Sequence, residues 1–167
     1  MLIYPATVVR DGRGFMASFR DIPEALTGGR TLDEVREMAA DALATAMEFY
    51  FEDRRPVPLP SAFSGDDVPV VLPASMAAKI LLLNAMLEQK VTPAELARRL
   101  GTSPQSVNRI MDLRHPTKID VIAQGLVAVG QQLNLQVRRL GKAQVRAPIV
   151  ATGRFKKPAA AAARKRA

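Results

Sequence analysis

The sequence predicts an α+β chain in three unlike parts: a small β-β-β-α-β domain over residues 1–72, an all-α domain built round a helix-turn-helix over residues 73–140, and a disordered basic tail over residues 141–167. Three observations carry that division. β-Forming residues and hairpin turn chemistry fill the front before one long helical period takes over. Two cap-then-proline signals, at Thr92-Pro93 and Ser103-Pro104, follow each other closely in the middle. The charge is polarised: residues 1–60 hold 7 Lys/Arg against 10 Asp/Glu, residues 61–140 hold 9 against 6, and residues 141–167 hold 8 against none. A basic rear and an acidic front imply nucleic acid at one end and a different partner at the other.

Composition narrows the chemistry. The chain has 167 residues, of which 48% are apolar, enough for real cores. It has no cysteine and one histidine, which removes disulfide frameworks, Cys-His zinc sites and thiol nucleophiles, and would hang any Ser-His-Asp triad on His115. The longest apolar run, Ile80 to Leu83, is bounded by Lys79 and Asn84 and falls far short of the roughly 20 residues that span a bilayer. The start, MLIYPATVVRDG, lacks a basic lead and a long apolar segment, so no secretion signal is expected and a cytoplasmic protein is.

Met1 to Arg10 is rich in β-formers, and Asp11-Gly12-Arg13-Gly14 supplies hairpin turn chemistry before a second strand, Phe15 to Phe19. Ile22-Pro23 and Glu24 to Thr27 lead into a short third strand closed by Gly28-Gly29. Thr31 and Glu34 form a capping box opening the strongest periodic helix, with Leu32, Val35, Ala39, Ala42, Ala46, Phe49 and Tyr50 expected against a sheet. Asp33, Arg36, Glu37, Asp41 and Glu48 then fall on a solvated face. From Arg54 the text RRPVPLPSAF ends the helix and reads as extended chain. Asp67 to Leu72 makes a last strand, with Pro69 arguing for an edge. Ser75 is placed to cap the first helix of the next domain.

That helix, MAAKILLLNAMLEQK, opens the all-α part. Thr92 with Glu95 is a second capping box, and Pro93 sits at the first helical position, where its missing N–H costs nothing. Ala94, Leu96, Ala97 and Leu100 face inward, and Gly101 stands where a helix ends with a left-handed residue. Ser103-Pro104 starts a second helix at once, with Val107, Ile110 and Met111 inside and Gln105, Ser106, Asn108 and Arg109 outside. Such an outer row fits a major groove: Gln bonds two atoms of adenine, Arg two of guanine. An ordinary helical hairpin with a solvated face is the competing interpretation. The short glycine turn and the helical flanks weigh against it. Beyond it, Arg114 and Lys118 are placed for phosphate contact. His115, before a proline, is a turn or packing residue. Thr117 and Asp120 signal another cap, with Ile119, Ile122, Leu126 and Val129 as core and Gly130 as stop. The alternation of Leu133, Leu135 and Val137 suggests a short strand that could pair across a dimer. The tail, GKAQVRAPIVATGRFKKPAAAAARKRA, is low in complexity and free of acid; a plain soluble tail and a sequence-independent DNA clamp are weighed equally.

From about Ser75 to Leu135 the order of elements resembles the five-helix DNA-binding domain of the Xre, or phage-repressor-like, family. The resemblance implies base reading by Gln105, Ser106 and Arg109, and makes Thr92 and Ser103 phosphate-facing caps. The phrases RDGRGFMASFRDIP and GGRTLDEVREMAADAL, with LRHPTKID after the second helix, resemble HicB-family antitoxins over about 135 residues. That likeness implies a reduced RNase H-like front domain which blocks a small HicA-like ribonuclease toxin. It also implies a rear domain that represses its own operon. A helix-turn-helix commonly acts on two half-sites about 34 Å apart, so a homodimer or tetramer on palindromic double-stranded operator DNA is expected.

Two other functions compete. One is a stand-alone Xre-like transcriptional regulator whose front domain senses a ligand. The other is an enzyme keeping RNase H chemistry, which needs carboxylates converging on divalent metal. Here Asp11 lies in a turn while Asp33, Glu37 and Asp41 run along one helix, so no catalytic residue, metal or cofactor is expected.

Overall fold

In the computed structural model, residues 2–137, residue 139 and the backbone of 149–150 are described. Strands β1 (Ile3–Asp11), β2 (Gly14–Phe19) and β3 (Leu26–Gly29) form an antiparallel meander, with Gly12 and Arg13 closing the first hairpin. Helix α1 (Leu32–Glu52) follows, and β4 (Val68–Val71) returns antiparallel to the free side of β1. The sheet order is β3-β2-β1-β4, extended by β5 (Ile149–Val150). The rest is helical: α2 (Ala74–Glu88), α3 (Pro93–Leu100), α4 (Pro104–Met111) and α5 (Ile119–Ala128). The chain is therefore α+β, with a four-stranded antiparallel sheet in front and four further helices behind α1.

Alternation along the strands decides which side is covered. Tyr4, Ala6, Ala17 and Phe19 point to α1 and are buried there with Val35, Ala39, Leu43, Met47 and Tyr50. The helix departs from the expected face: Leu32 and Phe49 are exposed, whereas Ala40, Leu43, Ala44 and Met47 are buried. The buried arc is wider than one sheet requires because Met76, Ile80 and Leu83 of α2 close the same core. Thr31 caps α1 by accepting from the Glu34 N–H at 3.2 Å, while the Glu34 carboxylate takes the N–H of Arg30 rather than that of Thr31.

The proline-rich stretch after α1 is a fastened strap. Its prolines lack donors, so side chains from other elements hold it. Asn84 of α2 grips both polar groups of the Val57 backbone, at 2.9 and 2.8 Å, and the Tyr4 hydroxyl donates to the Pro58 carbonyl at 2.8 Å. Asp21 accepts from the Ser61 N–H at 2.9 Å, and Arg20 pairs with Asp67 at 2.6 Å. Burial pushes the Tyr4 hydroxyl pKa above its usual range, with Asp21 the next contributor.

Helix α2 is apolar nearly all round because it lines two cores. Met76, Ile80 and Leu83 face the front; Ala78, Leu82, Ala85 and Met86 pack with Leu96, Ala97, Val107, Ile110, Ile122, Leu126 and Val129 behind. Its N-cap is Pro73, with no side-chain cap, and Ser75 lies within the first turn. Within the single chain residues 133–137 form no strand, and Leu135 and Val137 stand exposed. One expectation at the rear is corrected. The tail was expected to be disordered throughout, yet Ile149 and Val150 pair parallel with Val70 and Val71. β4 offers an unpaired outer edge, and this adjacent Ile-Val pair is strongly β-forming. The other tail residues lie outside the described residues.

Candidate nucleic-acid interface

The candidate surface is built by local chemistry on α3 and α4. Thr92 takes the Glu95 N–H at 3.2 Å, and Pro93 follows it at the helix start. The reciprocal half of that capping box is missing. Glu95 instead accepts from Arg98 at 2.9 and 2.8 Å and from Arg99 at 2.9 Å, since two guanidinium donors outcompete a neutral amide. Hydrogen bonds from Arg98 and then Arg99 pull the Glu95 carboxyl down to about 2. Arg99 also donates to the Ala128 carbonyl at 3.1 Å, tying α3 to the end of α5.

Gly101 then adopts φ +62°, a left-handed conformation that costs other L-residues energy. With the chain turned, the Thr102 N–H closes onto the Ala97 carbonyl at 3.0 Å, and Ser103 caps α4 by accepting from Ser106 N–H at 3.2 Å. Val107 and Ile110 are buried beneath, so Gln105, Asn108 and Arg109 are forced outward and are exposed. Ser106 is half-buried, and its hydroxyl lies 2.9 Å from that of Ser103. Thr92, Ser103 and Lys118 are exposed as well.

Two clefts flank α4 and divide the expected site residues. An open cleft of about 540 Å³ toward α5 brings together Ser106, Arg109 and Lys118, joined by Thr102, Thr117 and Gln124. Thr102, Thr117 and Gln124 were not singled out for this surface from sequence; their only signal was polarity next to the turn and on the helix after it. A second cleft, about 360 Å³, lies toward α1 and holds Asn108 and Arg114 beside Glu48 and Glu52. Gln105 belongs to neither.

The turn after α4 is tied to the rest of the molecule from two sides. Lys79, 2% exposed on α2, donates to the carbonyls of Asp112 and His115 at 2.6 and 2.7 Å. A cation there answers the partial negative charge at the end of α4. Burial pushes its amine below the usual lysine range. Arg114 forms a two-pronged ion pair with Glu48 of α1, one arm at 2.9 Å. Glu48 hydrogen bonding holds that guanidinium more firmly protonated, with weaker help from Glu52 and Asp112. The helical period alone puts Glu48 on a solvated face, and the one sign of a role for Lys79 in the sequence is that it is a lone lysine inside an apolar helix. The His115 side chain is exposed, and its carbonyl serves the turn. Among the described residues no group of three or more His, Cys, Asp or Glu could hold a metal ion, and no helix is long and apolar enough to cross a membrane.

Residues 3–81 match a family model described as the HicB-like antitoxin of bacterial toxin-antitoxin systems. The chain is 54% identical over 132 residues to "Antitoxin HicB 2" of Photorhabdus laumondii, an alignment covering 79% of this chain and 94% of the relative. It is 52% identical over 136 residues to "Antitoxin HicB 1" of the same organism, covering 80% and 86%. It is 47% identical over 133 residues to "Antitoxin HicB" of Escherichia coli K12, covering 79% and 96%.

Proposed function

We propose, from the premise that this chain belongs to the HicB antitoxin family of bacterial toxin-antitoxin systems, that it is a two-handed antitoxin: the front blocks a HicA-like ribonuclease toxin and the rear represses the operon. The family is one of antitoxins and not of enzymes. In this reading α3 and α4 are a helix-turn-helix, α4 enters the major groove, and the protein acts as a dimer or tetramer on a palindromic operator.

One observation carries the DNA half: Gln105 and Arg109 stand outward in the first and last turns of a helix whose cap and glycine turn fix its direction. A guanidinium held at that point can take two acceptors of guanine, and the carboxamide two atoms of adenine. Asn108 and Ser106 flank them on either side of the helix. Thr92, Ser103 and Lys118 supply donors for phosphates, which set register without reading sequence. Arg114 joins that set with Glu48 fixing its orientation.

The test separates the two hands in the full-length chain. Arg109→Ala is expected to cost about 1 to 3 kcal/mol at the operator, to relax specificity there, and to leave protection against a co-expressed toxin intact. Equal losses on operator and unrelated duplex in a titration would remove Arg109 from base reading. Loss of toxin protection with operator binding intact would reverse the division of labour.

A further inference from the structure

We propose that the basic tail is a second DNA-binding element, a clamp on duplex phosphates that acts without regard to sequence and apart from α4. The charge balance carries this. Residues 1–140 hold 16 Lys/Arg and 16 Asp/Glu, so the whole net charge of +8 resides in residues 141–167. A neutral body gives a polyanion little long-range attraction, and the α4 row itself offers one cation, Arg109. The electrostatic footprint expected of a DNA-binding chain is therefore in the tail.

Two further facts fit. Relatives covered to 94% and 96% of their length leave about a fifth of this chain outside the alignment, so it carries sequence that they do not. Ile149 and Val150 seat the tail's root on β4, and Arg154, Lys156, Lys157, Arg164, Lys165 and Arg166 all follow that anchor. The chain beyond residue 150 can span roughly 55 Å at full extension, alongside dozens of duplex charges spaced about 1.7 Å apart along the axis. Tethering to a chain already on DNA raises the local concentration of phosphate to about the millimolar range, so weak contacts count. A lipid surface is the poorer match: beyond the anchor the tail has one aromatic, Phe155, and its other apolar residues are all alanine.

The experiment compares the full-length chain with a full-length variant carrying R154Q, K156Q, K157Q, R164Q, K165Q and R166Q, which leaves Ile149 and Val150 in place. Both are titrated from about 50 to 200 mM salt onto operator duplex, random duplex, single-stranded RNA and anionic vesicles. The variant is expected to lose at least about tenfold in affinity for random duplex at low salt, with the log–log salt slope shallower by about 0.9 per lost contact. Operator duplex should weaken by a similar factor, leaving the preference for operator over random duplex unchanged. Unchanged binding to random duplex overturns the clamp, as does charge-dependent loss confined to RNA or vesicles. Failure of the α4 reading looks different: neither chain prefers operator, while the slope difference persists.

Discussion

In the α3–α4 pair, Thr92, Gly101 and Ser103 each act on a residue no more than five positions away. In the sheet half the decisive partners are distant: Tyr4 meets Pro58, Arg20 meets Asp67, and Gly14 lies against Gly29. The difference teaches where each half is vulnerable. A local element fails through strain or a lost cap; a sheet fails through collision or a lost neighbour. Helix α2 belongs to both, since its opposite faces line the two cores.

That shared helix sets the largest expected effect. Leu43→Ala in the front core and Leu96→Ala in the rear core should each cost about 2 to 5 kcal/mol, because both side chains are fully buried. Unfolding by denaturant should remain one transition in either variant. Two separated transitions would show that α2 does not weld the halves.

A pair of glycines sharpens the contrast. A methyl on Gly14 would stand 2.5 Å from the Gly29 carbonyl oxygen, whereas one on Gly101 meets nothing within 4 Å. Gly14→Ala should cost roughly 1 to 3 kcal/mol through collision, and Gly101→Ala about 1 to 2 kcal/mol through the left-handed backbone alone. Asparagine, which tolerates that backbone, should recover much of the loss at position 101 and none at 14. Equal recovery at both sites by thermal melting would erase the distinction.

The smallest effect is a pH dependence confined to the local half. The folded Glu95 carboxyl sits near 2, below its ordinary 4.5, held there by Arg98 and Arg99. Its stabilisation of α3 is therefore complete above about 4.5 and is lost as the pH falls through about 2. Glu95→Gln should flatten the acid side of a thermal-melting profile in that window; an unchanged profile would mean that the Arg98 and Arg99 contacts contribute nothing measurable in water.

Legibility followed the same divide. The caps at Thr31, Thr92 and Ser103, the stop at Gly101 and the first hairpin of the front were readable, because each is set by residues adjacent in the chain; the pairing of β4 with β1, more than 60 positions away, was not. The inward face of α1 was read only partly. Leu32 and Phe49 keep the helical period but fall outside, since a second covering from α2 shifts and widens the buried arc. The candidate surface was readable as a row, Gln105 to Arg109, but not as two clefts separating Ser106 and Arg109 from Asn108.

By itself the sequence determined the capped helices and their turn, the hairpin, and the gathering of all excess positive charge behind residue 140, because these depend on nearest neighbours or on composition. Only the tertiary structure decided that Lys79 holds the Asp112 carbonyl across 33 positions and that Glu48 holds Arg114 across 66. Hydrogen bonds and ion pairs act only at short range, and which distant residues come that close is settled by how α1 and α2 pack, not by any pattern along the chain.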